Sequence, residues 1–360
     1  MANLALLARV WGVAKYHHPS ITAGGRNWDY ALFRVMPSVL SAPDRSTAAT
    51  AIVTWLDALG TVPACRSCAT PATGAQLAAE IHTIDGRPVA ALVDSLRPDY
   101  PASNEPTRLR DMARNLTRGA GPVVLARVGA MGAVNTSVSR QPTGTLDRSQ
   151  TFVRDLPGPT FRMLTDSVAY LKLSSVVAAN TASYIEQAQR ARVLVIDIRN
   201  YPSEFVVFAL GGHLVSGASP FARFTVGDPS NPGAFRWGPT VFHTPRTPRF
   251  GGTVVILLDE TSQSQAEYTA MAFQVAPGAI VVGSTTAGAD GNVSRIPLPG
   301  NVEGMISGIG VFYPDGRPTQ RIGIVPDLVV RPTVAGIRAG RDEVLEAGVS
   351  RALGRAFRLP

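Results

Sequence analysis

The apolar positions of this chain follow two different rhythms. Over residues 1–60 they recur at the spacing of one helix face. Leu7, Val10, Trp11 and Ala14 form a first stretch that Pro19 stops, and Trp28, Ala31, Leu32, Val35, Met36 and Val39 form a second that Asn27 is placed to cap. Ile52, Trp55, Leu56 and Leu59 form a third, ending at Gly60, the residue type that most readily takes a left-handed helix terminus. From about residue 165 the rhythm changes to short β-branched runs at 168–173, 193–198, 254–258, 279–282 and 306–313. These alternate with helical stretches at 182–191, 264–275 and 342–353, which predicts α/β layers. Residues 61–160 hold a strand-like Val123-Val124-Leu125, a helix over 108–116 and many Pro, Gly, Ser and Thr, and read as a small mixed unit or a partly flexible insertion. The expected division is a helical domain at 1–60, an insertion at 61–160 and a core at 161–360.

With 360 residues, 45% of them hydrophobic, the chain can bury a sizeable core. Its net charge of +8 raises nucleic acid as a partner. The basic residues are almost all arginine, with Lys15 and Lys172 the only lysines, and they are scattered rather than gathered into a stripe, so no nucleic-acid partner is expected. Cys65 and Cys68 are too few for a structural zinc site without two more ligands, and His82 is the only histidine near them. A local disulfide and an inert loop pair remain as readings, and no metal or cofactor is expected. No run approaches 18 apolar residues, so no membrane span is expected. The start, MANLALLARVWGVAKYHHP, lacks the basic, apolar and small-residue regions of a signal peptide.

The most informative segment is TVVILLDETSQSQAEYTAMAF, residues 253–273. A buried strand runs into a polar turn, and Ser264 sits at the first turn of a helix rich in small residues. That placement exposes a hydroxyl where free helix N-terminal amides converge, as stabilisation of an oxyanion requires. A plain helix cap at Ser264 explains the same pattern. A GxSxG elbow is absent, which argues against an α/β-hydrolase.

Five ordered segments add to this: LVIDIRNYPSEF (194–205), DETSQSQAEYTAMAF (259–273), GSTTAGADGNVSRIPLPG (283–300), ISGIGVFYPDGRPTQRIGIVPDLVV (306–330) and GIRAGRDEVLEA (336–347). Together they resemble the tail-specific, C-terminal-processing serine peptidases with a tricorn-like core. ARVWGVAKYHHPSITAGGRNWDYALFRVMPSVL resembles the helical domain that precedes the core in one branch of that family, and IHTIDGRPVAAL resembles part of its PDZ-like module. The resemblance implies an α/β fold: an N-terminal helical domain, a truncated PDZ-like insertion and a spiral β-β-α core shared with the crotonase and Clp protease folds. It also implies peptide hydrolysis through an acyl-enzyme, with unfolded or C-terminal peptide segments as substrates.

Carried onto this chain, the family's SxxE motif falls on Ser264-Gln265-Ala266-Glu267, with Ser262 as the competing nucleophile. The oxyanion hole would use the N–H of Gln265 and that of Ser203, although Ser203-Glu204 replaces the usual Gly-Gly. Asn200, Gly288 and Asp290 are the candidate substrate-binding residues, with loop bracing as the structural alternative for Asn200 and close backbone approach for Gly288. The general base is not at either of its usual places. Ala289 stands where one branch has lysine, Gly60-Thr61-Val62-Pro63 stands where the other has histidine, and Gln320 replaces the supporting glutamate. His18 or His17, at the end of the first helix, is the expected substitute, with Gln320 orienting its ring; packing against the helices is the alternative role. These departures leave a catalytically inactive peptide-binding relative as the rival function, and a thioester-processing crotonase-like enzyme as a more distant one. Relatives are usually exported, so the lack of a leader leaves the compartment open.

Overall fold

The structure is a computed structural model that describes residues 2–18, 21, 28–60, 80–119, 121–129, 132–140, 154–231, 233–300 and 302–359. The chain divides into two compact units, Met1–Pro71 and Ala72–Pro360.

The first unit is helical. Helices α1 (Ala2–His17), α2 (Trp28–Leu40) and α3 (Arg45–Asp57) bury the faces that their periodicity marks, with Leu7, Val35, Val39, Ala48 and Ile52 in one cluster and Ala14, Ile21, Trp28 and Leu59 in another. Trp28 stacks on Trp55 with ring centroids 4.2 Å apart, and its indole N–H donates to the Trp11 carbonyl at 3.1 Å. Asp44 caps α3 by accepting the Thr47 N–H at 2.8 Å. Gly60 has φ +83°, as expected of a residue that ends a helical turn. The expected cap Asn27 and the pair Cys65 and Cys68 lie outside the described residues.

The second unit opens with an antiparallel sheet, β2-β1-β3-β4, made of β1 (Glu80–Ile84), β2 (Arg87–Pro88), β3 (Pro122–Gly129) and β4 (Gly132–Ser139), with α4 (Val89–Leu96) and α5 (Glu105–Ala113) inserted before β3. Asp85 and Gly86, with φ of 49° and 76°, form the two-residue turn that the Asp-Gly pair favours in a hairpin.

The core is a six-stranded sheet built from β5 (Phe161–Thr165), β6 (Val168–Lys172), β7 (Val193–Asp197), β10 (Thr253–Leu258), β11 (Ile280–Gly283) and β15 (Leu328–Val329), in the order β15-β11-β10-β7-β6-β5. All neighbours pair in parallel except β5 and β6. The central strands read as unbroken apolar runs because both faces are covered. Leu194, Ile196, Val254, Ile256 and Leu258 point into the cluster shared with α6 (Thr181–Ala188), α7 (Val207–Gly211) and α8 (Gln265–Phe273). Val193, Val195, Val255 and Leu257 point to the other face, where Val344, Leu345 and Val349 of α10 (Glu343–Leu353) pack. Before α10, a short helix α9 (Val334–Arg338) follows the sheet's last strand.

Two hairpins sit outside this sheet. β8 (Ser219–Gly227) pairs with β9 (Phe235–His243) on one side and β14 (Gly310–Phe312) on the other, while β12 (Val293–Leu298) and β13 (Val302–Ser307) form a ribbon of their own. The strand expected over 306–313 is therefore two. Gly308 and Ile309 break it because Gly308 lies against Ser294, where a Cβ would approach the Oγ to 1.9 Å.

Candidate active site

The parallel strands β7, β10 and β11 run in matched register, with Ile256 beside Ile196 on one side and Val281 on the other. Their carboxyl ends therefore deliver three loops, 198–206, 259–264 and 284–292, to the same edge of the sheet, the usual place for a site in a parallel sheet. Side chains lock the loops together. Ser262 Oγ donates to the Ile198 carbonyl at 2.9 Å and Thr261 Oγ1 to that of Arg199 at 2.7 Å. From the antiparallel unit, α5 adds further clamps. Asn104 Nδ2 donates to the Thr286 carbonyl at 2.8 Å, Thr107 Oγ1 to that of Ala287 at 2.9 Å, and Arg110 to that of Glu260 at 2.9 Å.

At the head of α8 the chain takes an uncommon turn. Ser264 has φ 55° and ψ −120°, a conformation L-residues rarely adopt, costing about 1–3 kcal/mol and concentrated at functional sites. The Glu267 N–H donates to the Ser264 carbonyl at 2.8 Å and the Glu267 carboxylate accepts the Ser264 N–H at 3.1 Å, so the two residues close a capping box at the head of the helix. Among the described residues the Gln265 N–H has no acceptor, so a free donor sits next to a hydroxyl held in a strained, partly exposed turn.

Glu267 anchors this turn from below. Its buried carboxylate accepts four hydrogen bonds: from Thr286 Oγ1 at 2.6 Å and Gly288 N at 2.7 Å on one oxygen, and from Ala289 N at 2.9 Å and Ser264 N at 3.1 Å on the other. Burial lifts its pKa above the ordinary glutamate value, and these donors pull against that shift.

Asp290 is the second buried carboxyl, only 4% exposed. One oxygen accepts the Gly291 N–H at 2.7 Å, and the other, Oδ2, has no partner among the described residues. Burial first, and the nearby Glu267 charge after it, push its pKa up to about 7. A cleft of about 350 Å³ opens here, lined by Ser264, Gln265, Asp290 and the aromatic side chains of Tyr201, Phe205 and Tyr268.

Residues 167–330 match the model of peptidase family S41. The core belongs to peptidase family S41. The fold is that of CPAF: its S499A mutant superposes with a TM-score of 0.60 at 12% identity over 99% of both chains. CPAF complexed with lactacystin superposes with a TM-score of 0.58 at 13% identity over 94% of this chain and 95% of that one. A photosystem II D1 C-terminal processing protease gives 0.41 at 16% identity over 98% of each chain. No curated protein matches the chain.

The S41 core places the candidate residues unequally. Ser264, Gln265 and Asp290 share the cleft. Ser262, the competing nucleophile, is buried, and its hydroxyl is engaged by the Ile198 carbonyl and the Asp259 N–H. The expectation for Ser203 is corrected, because its N–H is donated to the Leu173 carbonyl at 2.9 Å and its hydroxyl to that of Val176 at 2.6 Å. The neighbouring Glu204 and Phe205 amides have no acceptor among the described residues. Asn200 is corrected too. Its side-chain oxygen accepts the Arg154 N–H at 3.4 Å, which makes it a brace rather than part of the cleft lining. Gly288 is a turn residue with φ +64°, where a Cβ would meet Asn104 Nδ2 at 2.9 Å, and it is absent from the lining of the Ser264 cleft.

Gln320 is committed to the backbone of its own neighbourhood, with both N–H donors spent. Its Nε2 donates to the carbonyls of Asp290 at 2.9 Å and Ile309 at 2.8 Å, and its Oε1 accepts the Val311 N–H at 3.2 Å. His18, half-buried, follows α1 in the first unit, and the side chain of His17 lies outside the described residues. In the second unit His213 Nδ1 meets the Pro248 carbonyl at 2.5 Å, His243 Nε2 meets that of Ala272 at 2.9 Å, and His82 sits 3.7 Å from Glu80 on the surface. Of the clamps, Arg110 fell on the helix expected over 108–116, while Asn104, which caps α5, and Thr107 carried no signal in the sequence. Among the described residues no cluster of His, Cys, Asp and Glu is suited to a metal ion, and no helix is long and apolar enough to cross a membrane.

Proposed function

We propose that this S41 protein is a serine peptidase that hydrolyses peptide bonds through an acyl-enzyme on Ser264. The observation that carries the reading is the strained Ser264 turn, which lines a cleft beside the free Gln265 N–H. In that arrangement the hydroxyl attacks a carbonyl lying in the cleft, and the amide receives the charge that develops on its oxygen. The second oxyanion donor comes from the Glu204–Phe205 stretch, whose amides are uncommitted where that of Ser203 is spent. Gln265 Nε2 donates to the Glu204 carbonyl at 3.0 Å and ties that stretch to the head of α8. The aromatic walls at Tyr201, Phe205 and Tyr268 favour an apolar side chain next to the scissile bond of an extended peptide substrate.

An alkyl fluorophosphonate probe tests the reading. Labelling of the wild type is expected, with a loss of at least about three orders of magnitude in Ser264→Ala. A folded wild type that takes no label supports the inactive peptide-binding alternative instead.

A further inference from the structure

The Ser264 cleft lacks any imidazole from its own unit, since His213 and His243 are buried against backbone carbonyls and His82 is on the surface. It does not lack a proton acceptor. Asp290 lines the same cleft, and its Oδ2 is the one carboxylate oxygen among the described residues that is buried without a hydrogen-bond partner. A buried, unpaired acceptor is costly and calls for an explanation.

The geometry points to Asp290 as the general base that takes the proton from Ser264, a role that rests on the nucleophile assignment proposed above. Three features support it. First, one oxygen of Glu267 accepts both the Ser264 N–H at 3.1 Å and the Ala289 N–H at 2.9 Å, which caps the separation of those two amide nitrogens at 6.0 Å and binds the loop carrying Asp290 to the nucleophile. Second, Glu267 cannot serve in its place, because all four of its donors are in position and a proton on it would break the clamp. Third, Gln320 fixes the Asp290 backbone through the carbonyl oxygen at 2.9 Å, while Gly291 N–H holds Oδ1 at 2.7 Å and leaves Oδ2 as the reactive oxygen. Gln320 is thereby a positioning residue for Asp290.

The groups whose charge reaches Asp290 are Glu267 and Tyr268 on α8 and Tyr313 just beyond β14. Burial keeps both tyrosines protonated well above their ordinary range, so neither changes charge where Asp290 does.

The step balances as follows. The Ser264 Oγ–H bond breaks and its proton passes to Asp290 Oδ2, directly or through one water, as the Oγ–carbon bond forms and the carbonyl π pair moves onto oxygen. Collapse of the tetrahedral intermediate expels the amine, which takes the proton back from Asp290. A water then attacks the acyl-enzyme, gives its proton to the same oxygen, and Ser264 recovers it as the acid product leaves.

The test is the rate of labelling by an uncharged alkyl fluorophosphonate as a function of pH, on the full chain. Wild-type labelling should climb about tenfold per pH unit below about 7 and level off above it, and Asp290→Asn should cut the plateau by about 10²–10⁴ and flatten the profile. Asp290→Glu should recover part of the rate. A wild-type profile that is flat from pH 5 to 9 overturns the proposal without any variant. So does a folded Asp290→Asn protein that labels like the wild type, the result expected if Asp290 merely binds a cationic substrate side chain. If a His17→Ala/His18→Ala double variant alone abolishes Ser264-dependent labelling, the role returns to the helical unit. These results leave the nucleophile assignment standing, whereas a folded wild type that never labels removes both.

Discussion

Two buried carboxyls stand near the Ser264 turn and do opposite work. Glu267, at the first turn of α8, accepts four hydrogen bonds and is saturated; Asp290, in the loop after β11, accepts one and leaves an oxygen empty. Both are desolvated, so burial raises both pKa values, but four donors oppose the rise at Glu267, while one does at Asp290, whose pKa is pushed up to about 7. A saturated carboxylate holds shape and an unsaturated one holds reactivity. The first fixes where the nucleophile stands, and the second is left free to exchange a proton.

The comparison breaks most visibly at Glu267. Glu267→Ala strands the N–H groups of Ser264, Gly288 and Ala289 and the Thr286 hydroxyl in a buried place, and each unsatisfied group costs about 1–3 kcal/mol. The expected outcome is a loss of roughly 3–5 kcal/mol in denaturant unfolding, or failure to fold, together with loss of labelling. A variant that kept wild-type stability would show that the clamp is not what holds the turn.

Asp290→Asn should behave in the reverse sense. The folded pKa of about 7 lies above the reference value of 3.8, so the contribution of Asp290 to stability is fully present at acid pH and is lost as pH rises through about 7. Removing the charge removes that loss, which is on the order of a few kcal/mol. Thermal melting should therefore show the Asn variant gaining on the wild type as pH is raised from 4 to 8. A stability difference that does not change with pH would mean that Asp290 is not desolvated in solution. Taken with the labelling profile, this separates a group strained for function from one that merely fills space.

The contrast also marks what the sequence could show. The strands VLVID and TVVILL were legible because both sheet faces are buried and every position except the terminal Asp197 and Thr253 is apolar. The ribbon β12–β13 was not, because it is exposed on both faces and shows no alternation, and the 306–313 run hid a break that depends on contact with Ser294. Ser264 and Gln265 were legible as motif positions. The fate of the Ser203 N–H was not, since its acceptor Leu173 lies 30 residues earlier, and no local pattern reveals Asn104 gripping Thr286 across 182 positions. Asp290 stood out as polar in a glycine-rich loop, but only the empty oxygen distinguishes a base from a contact residue.

The two neighbouring serines offer the finest test. Ser262 and Ser264 lie two residues apart in one turn, and only the SxxE spacing favours Ser264 in the sequence. The structure gives them different burdens: Ser262 Oγ joins the Ile198 carbonyl to the Asp259 N–H inside the protein, while Ser264 lines the cleft at the head of α8. Ser262→Ala should cost about 1–3 kcal/mol in stability, because it leaves a buried carbonyl and a buried N–H without their shared partner. Labelling should survive, slowed by less than about tenfold, since the loss falls on the tie between two loops that Thr261 and Arg110 also hold. Denaturant unfolding and probe labelling of the same sample read both quantities. Abolished labelling in a stable Ser262→Ala protein would reverse the assignment of the pair, and with it the claim that the strained residue is the reactive one.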